Sequence, residues 1–338
     1  MPVTHRTIAP RAALLGLLLL TLIAVGGGCS VKQMAITSVA DMLSGDTGGA
    51  LSQDEDLDLV GDAVPVFLKL MEVIRDQAPD HVGIHKALSS SFTQYGMVWV
   101  QFPAEQQKYD DFEAYRTGLE RARKLYLRAQ RYGLMGLEIT HPGFSEQIRV
   151  NPQQALAVTT VEDVPLLYWL GASWMAAISN SREDPELIGE LPIAAAILHR
   201  ALELDPDWGN GSIHELLISV EPSLPMPGGK ERAQQHYDRA VELAAGTKAS
   251  PHVSLATALT IKAQDRDRFE ELLGLALAVD PEASPDDRLA NEYAQRRARF
   301  LLEHVDDLFL DLEDDPALAP LPDDPPAPTE PAPPEETE

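Results

Sequence analysis

Cysteine occurs once in the 338-residue chain, at Cys29. A single cysteine excludes an internal disulfide framework and a cysteine-ligated metal cluster. Basic residues are also scarce, 27 Lys and Arg against 53 Asp and Glu, for a net charge of −26. That balance excludes the nucleic-acid class, because phosphate backbones are held by Lys and Arg. It also disfavours electrostatic adhesion to anionic lipid. Only one long hydrophobic run is present, Ala12 to Val25, and its 14 residues fall short of the roughly 20 that a spanning helix needs. Series of short alternating strands are missing too, which leaves no basis for a sheet architecture.

The N-terminus combines His5, Arg6 and Arg11, the apolar run, and then small residues, "GGGCS". This is the order of a secretory signal. Cys29 stands where a bacterial lipobox places its cysteine, with Gly27 and Gly28 before it; Gly26 replaces the larger aliphatic residue usual there. The expected processing is removal of residues 1–28 and acylation of Cys29, which becomes the membrane anchor. Each buried methylene of an acyl chain contributes about 0.8 kcal/mol, and more than one chain holds stably. Ser30, in place of an Asp, resembles an outer-membrane address. The alternative is an ordinary signal peptide with a bystander cysteine.

Residues 29–56 then read as the acylated end and a tether, with "SGDTGGALSQDED" at its centre. Residues 57–312 form the foldable part. Residues 313–338 hold nine prolines, nine acids and no base, and such a composition cannot bury enough apolar surface to offset ordering. Within 57–312 the pattern is helical: Val64, Phe67, Leu68, Met71 and Ile74 recur at helix spacing. Pro79 ends that helix, and Asp80 is placed to cap the next. Ser250-Pro251 and Ser284-Pro285 resemble helix starts, and Ala290, Ala294, Leu301, Val305 and Leu308 share a face. "MVWVQF", residues 97–102, is the best strand candidate, although it continues a helical pattern begun at His81.

Four segments repeat one spacing: a small or apolar residue, three residues, a large apolar residue, two residues, Ala. They are Ala122–Tyr126–Ala129, Ala194–Leu198–Ala201, Ala233–Tyr237–Ala240 and Phe269–Leu273–Ala276. Two of them end in Asp-Pro four residues later. This is the spacing of the second helix of a tetratricopeptide repeat, where Ala admits a neighbouring helix. Successive alanines lie 72, 39 and 36 residues apart, against a nominal period of about 34. The fold class is therefore all-α, a degenerate tetratricopeptide-like helical bundle or solenoid.

Catalytic patterns are sparse. His81 and His85 are one helical turn apart, but the glutamate of a zinc-protease motif and a third ligand are missing. "PGGKER" lacks the first glycine and the hydroxyl residue of a phosphate loop, and reads as a turn before a helix. No G-x-S-x-G elbow occurs, and the pairs Asp110–Asp111 and Asp306–Asp307 read as solvated faces. No cofactor is implied. The unusual segment is "VPLLYWLGASWMAAISNS", residues 164–181, which holds two of the four tryptophans. It reads either as a helix buried on all sides or as the wall of an apolar cavity. In the second case Tyr168, Trp169 and Trp174 are the apolar lining, and Ser173, Asn180 or His214 the polar groups.

The segments "DLDLVGDAVPVFLKLMEVIRDQAPDH", "ARKLYLRAQRYGL", "LLYWLGASWMAAIS", "HRALELDPDWGNGSIHELL", "GGKERAQQHYDRAVELAAG" and "RLANEYAQRRARFLLEHVDDLF" resemble, in order, the motifs of the TatT family. These are the tetratricopeptide-like lipoproteins of TRAP-type transport systems, and the resemblance runs from Val31 to Leu310. It implies an all-helical body with an apolar passage, a homotrimer, and docking of a DctP-type periplasmic substrate-binding protein. The expected function is a periplasm-facing, lipid-anchored component, in the outer membrane, that holds or channels an apolar small molecule without covalent chemistry. Against it stand a repeat scaffold for envelope assembly without a ligand and a helical hydrolase.

Overall fold

The residues described by the computed structural model are 34–43, 49–181 and 183–310. Cys29, the signal segment and the acidic tail lie outside them. Among the described residues there is no strand. The helices in chain order are α1 (34–43), α2 (Gly49–Ser52), α3 (Leu57–Gln77), α4 (Val82–Gly96), α5 (Phe102–Gln106), α6 (Phe112–Thr140), α7 (Phe144–Val150), α8 (Pro152–Ala157) and α9 (Val164–Ser179). They continue with α10 (Pro185–Gly189), α11 (Leu191–Leu204), α12 (Trp208–Val220), α13 (Gly229–Ala244), α14 (Ser250–Leu255), α15 (Ile261–Ala263), α16 (Arg266–Ala278), α17 (Arg288–Glu303) and α18 (Val305–Leu308).

The boundaries follow from capping chemistry. Asp56 accepts from the amides of Asp58 and Leu59 at 3.1 and 2.9 Å, satisfying donors that the first turn of α3 leaves free. Asp111, Asp184 and Asp265 cap α6, α10 and α16 in the same way. The cap of α4 is His81, whose Nδ1 accepts from the Ile84 amide at 3.1 Å, and not Asp80. Ser284-Pro285 opens a 3₁₀ turn, Pro285–Asp287, and the α-helix begins only at Arg288. In "PGGKER", Gly228 takes φ 80° and α13 starts at Gly229, so the segment is a turn into a helix.

The four repeated spacings fall on α6, α11, α13 and α16. All twelve of their named residues are buried, because one helical face turns inward at i, i+4 and i+7. Each of these helices packs on the one before it, giving the pairs α4/α6, α9/α11, α12/α13 and α14/α16. Close approach has visible causes. A Cβ on Gly171 of α9 would stand 2.5 Å from Leu198 of α11, and one on Gly211 of α12 would stand 3.2 Å from the Cα of Ala240 in α13. Three apolar clusters result, between α6, α9, α11 and α12, between α13, α14, α16 and α17, and between α3, α4 and α6.

Two features depart from the expected organisation. The body does not begin at residue 57: Ala40 of α1 has no accessible surface, and Ile36, Leu43 and Leu51 pack on the α3–α4 cluster. Apolar side chains at helical spacing dock this part of the expected tether. The chain ends also meet. α17 packs against α2 and α3, with Gln53 donating to Asp286 at 2.8 Å, Glu55 pairing with Arg288 at 3.0 Å and Asp58 with Arg296 at 2.8 Å. Phe102 of α5 meets Tyr293 and Phe300 of α17 edge-on, at 5.6 and 5.9 Å.

Candidate functional site

This closure leaves a cavity of about 350 Å³ between α3, α4 and α17. Leu57, Val60, Val64 and Phe67 line it from α3, Ala87, Ser90, Ser91 and Lys86 from α4, and Leu289, Ala290 and Tyr293 from α17. Its end wall is the segment expected to be a strand. Met97–Gln101 is a single π turn between α4 and α5, and the extra residue of a π turn re-aims the side chains around it. Met97, Val98 and Trp99 face the cavity. The Trp99 indole donates to the Leu57 carbonyl at 2.8 Å. Gly61 makes room for it, since a Cβ there would come within 2.4 Å of the ring.

Gln101, at the far end of the same turn, lines a second, more open cavity of about 870 Å³ between α5, α6 and the end of α9. That one is polar, with Glu105, Glu113, Arg116, Glu120, Arg123 and Asp184 on its walls. Between the two cavities runs a chain of polar contacts. The Tyr126 hydroxyl and the Asn180 amide both donate to Gln101 Oε1, at 2.7 and 3.0 Å. Gln101 Nε2 donates to Glu105 at 2.7 Å, and Glu105 faces Arg297 at 3.6 Å. Arg297 in turn bonds Tyr293, which belongs to the first cavity. Burial, together with the nearby Tyr293 and Glu105, pushes the Tyr126 phenol well above its usual range. Burial likewise raises Tyr293. It opposes the charge on Arg297, but Glu105 and Tyr293 outweigh it and hold the guanidinium protonated. Arg297 Nε has no acceptor. Tyr293 and Arg297 are ringed by protein yet keep accessible surface, as side chains bordering an interior void do.

The residues singled out from the sequence fall elsewhere, with one exception. Trp174 has no accessible surface, donates to Glu190 at 2.8 Å and lies under Arg149 at 5.0 Å. Ser173 is also fully buried and donates to the Leu170 carbonyl at 2.9 Å. Both are core. Tyr168 and Trp169 are half-buried and form an aromatic group with Trp208, at 4.9 and 4.6 Å from the Tyr168 ring. Burial raises the Tyr168 phenol and the neighbouring Glu215 carboxyl. His214 is buried and faces His236, Nδ1 to Nδ1, at 2.8 Å. Neither cavity is lined by Tyr168, Trp169, Ser173, Trp174 or His214. Asn180 is the exception, on the polar chain itself. His85 spends its Nε2 on the Pro79 carbonyl at 2.8 Å, and among the described residues no group of three or more His, Cys, Asp or Glu could hold a metal ion. The signal that marks the two cavities is weak in sequence: Trp99 and Gln101 flank an unremarkable apolar stretch, and the π turn has no residue signature.

An array of helix pairs, bent round until its last long helix meets its first, with interior cavities on both sides of a π turn, is an all-helical protein of the repeat class. None of the described helices is long and apolar enough to cross a membrane. The family model of the TRAP transporter T-component matches residues 53–309. An uncharacterized protein of Treponema pallidum (strain Nichols) is 33% identical over 303 residues, covering 84% of this chain and 94% of the relative. The chain belongs to the TRAP transporter T-component family, and so is a component associated with a TRAP-type transport system.

Proposed function

We propose that this T-component is a lipid-anchored, periplasm-facing lipoprotein that docks the system's DctP-type substrate-binding protein and holds a solute with an apolar body in its interior. It works by binding and channelling, without covalent chemistry. The observation that carries this reading is the cavity between α3, α4 and α17, whose volume of about 350 Å³ lies within the range of small-molecule sites, which are concave and mostly apolar. The second cavity supports channelling. It begins on the other side of the Gln101–Glu105–Arg297 chain, so a path through the protein needs only that chain to part. Docking is supported by the outer face of α3. Leu59, Ala63, Val66, Leu70 and Val73 recur there at helical spacing and are exposed, and an apolar stripe of this kind is typical of a protein contact. The same face would serve a homotrimer.

Native mass spectrometry of the purified protein, with extraction of bound small molecules, tests the holding function. A solute should be retained by the natural chain and lost from Ser91→Trp, which fills the cavity. Co-purification with the substrate-binding protein should weaken in Val66→Asp/Leu70→Asp. The anchor is tested by Cys29→Ser, which should move the protein out of the membrane fraction. A chain that never carries a solute, but still assembles with envelope proteins, supports the scaffold reading instead.

A further inference from the structure

Most cations beside the first cavity are already engaged. Arg288 pairs with Glu55 and Glu282, Arg296 with Asp58, and Lys69 and Arg128 with Glu72. Lys86 differs. It is half-buried in the cavity wall, and no carboxylate or other acceptor among the described residues meets its ammonium, although acids outnumber bases 53 to 27 in this chain. The single acid of the lining, Asp286, sits at the rim, accepts from Gln53 at 2.8 Å and does not pair with Lys86.

The wall around Lys86 is divided by helix periodicity. Lys86, Ser90 and Gln94 follow one another at every fourth position of α4 and so form one polar line. Ser90 donates its hydroxyl proton to the Ala87 carbonyl at 3.0 Å, which leaves its oxygen free to accept. Facing this line are the aliphatic and aromatic side chains of α3 and Leu289 of α17. A cation held without a partner at an apolar wall is poorly solvated. An anion delivered there gains a charge-assisted hydrogen bond.

We infer that the first cavity is a site for an amphipathic organic monoanion, its apolar body between α3 and α17 and its head group on Lys86 Nζ. This rests on the reading of that cavity as the solute site and adds the class of solute. A second anionic group is disfavoured, because it would meet the aliphatic wall or the Asp286 carboxylate.

The test uses two probes with nearly the same aromatic body, the anionic anilinonaphthalene sulfonate and the neutral phenylnaphthylamine. Binding to the full chain is measured by calorimetry, with Ser91→Trp as the reference for any uptake outside the cavity. The natural chain should bind the anion about tenfold or more tightly than the neutral probe, as expected of a hydrogen bond to a charged group. Lys86→Met should erase that preference and leave neutral-probe binding unchanged, and Lys86→Arg should retain it. Retained neutral-probe binding also reports that Lys86→Met has folded, and should it not fold, Lys86→Gln takes its place. Equal affinities in the natural chain, or a preference that survives Lys86→Met, would overturn the anion assignment while the cavity reading stands. Failure of both probes to bind above the Ser91→Trp reference would overturn the cavity reading itself, and the assignment with it.

Discussion

Ala201 and Ala276 have no accessible surface and lie inside the two largest apolar clusters. Enlarging either should overpack a helix contact. Ala201→Leu and Ala276→Leu are each expected to cost about 1–3 kcal/mol, read from denaturant midpoints at unchanged slope. The two tryptophans of α9 should separate in the same assay. Trp174→Ala removes a fully enclosed indole and strands the Glu190 carboxylate that accepts from it, a loss of about 3–5 kcal/mol. Trp169→Ala, at a half-buried ring, should cost clearly less. These positions also mark what was legible at this scale. The alanines could be found because a small residue at fixed spacing is a packing statement. The role of Trp174 could not, because an apolar side chain satisfies a core and a cavity wall equally well.

The element with most influence on the interior is the π turn, Met97–Gln101. It points Trp99 to one cavity and Gln101 to the other. Five residues of ordinary composition gave no hint of it in the sequence, where they resembled a strand as readily as a helix. A π turn depends on packing that compensates a poorer local hydrogen-bond geometry, and here Trp99 on the first turn of α3 and Tyr126 on Gln101 provide it. Tyr126→Phe removes the phenol's hydrogen bond while Asn180 still reaches Gln101, so the expected cost is about 1 kcal/mol. Faster amide exchange confined to α5 and the π turn would accompany it. A uniform rise across the molecule would mean that Tyr126 acts through the core alone.

Across the whole molecule, acid should be destabilising. Burial and the adjacent His214 push His236 down to about 4 from 6.5, so the folded protein keeps it neutral while the unfolded chain takes a proton. Between those values the unfolded state binds more protons, and stability falls as pH falls. His85, His214 and His252 are shifted the same way by burial. Glu221 acts in the same direction further down. Burial favours its protonation, but bonds from Arg232 and His199 hold it below 4.5, and their stabilisation is lost once it is protonated. His236 alone should contribute on the order of 2 kcal/mol between pH 6.5 and 4, allowing for its partial exposure. Thermal midpoints measured across that window should fall steeply for the natural chain and less steeply for His236→Gln. Equal slopes would remove His236 from the account.

Local information settled a good deal of this protein. Hydrophobic periodicity and the repeated Ala spacing define the helices and their buried faces, because both follow from a 3.6-residue turn that every residue samples with its near neighbours. The family motifs identify the class, and the lone cysteine after a short apolar run defines the anchor hypothesis. The sites were decided only in three dimensions. Gln53 and Asp286 meet across 233 positions, and that closure, not any local pattern, encloses the cavity and leaves Lys86 inside it without a partner. Whether an apolar face ends against another helix or against open space depends on how the whole array bends. That bend is a sum of small packing angles over many helix pairs, and no single stretch of the sequence encodes it.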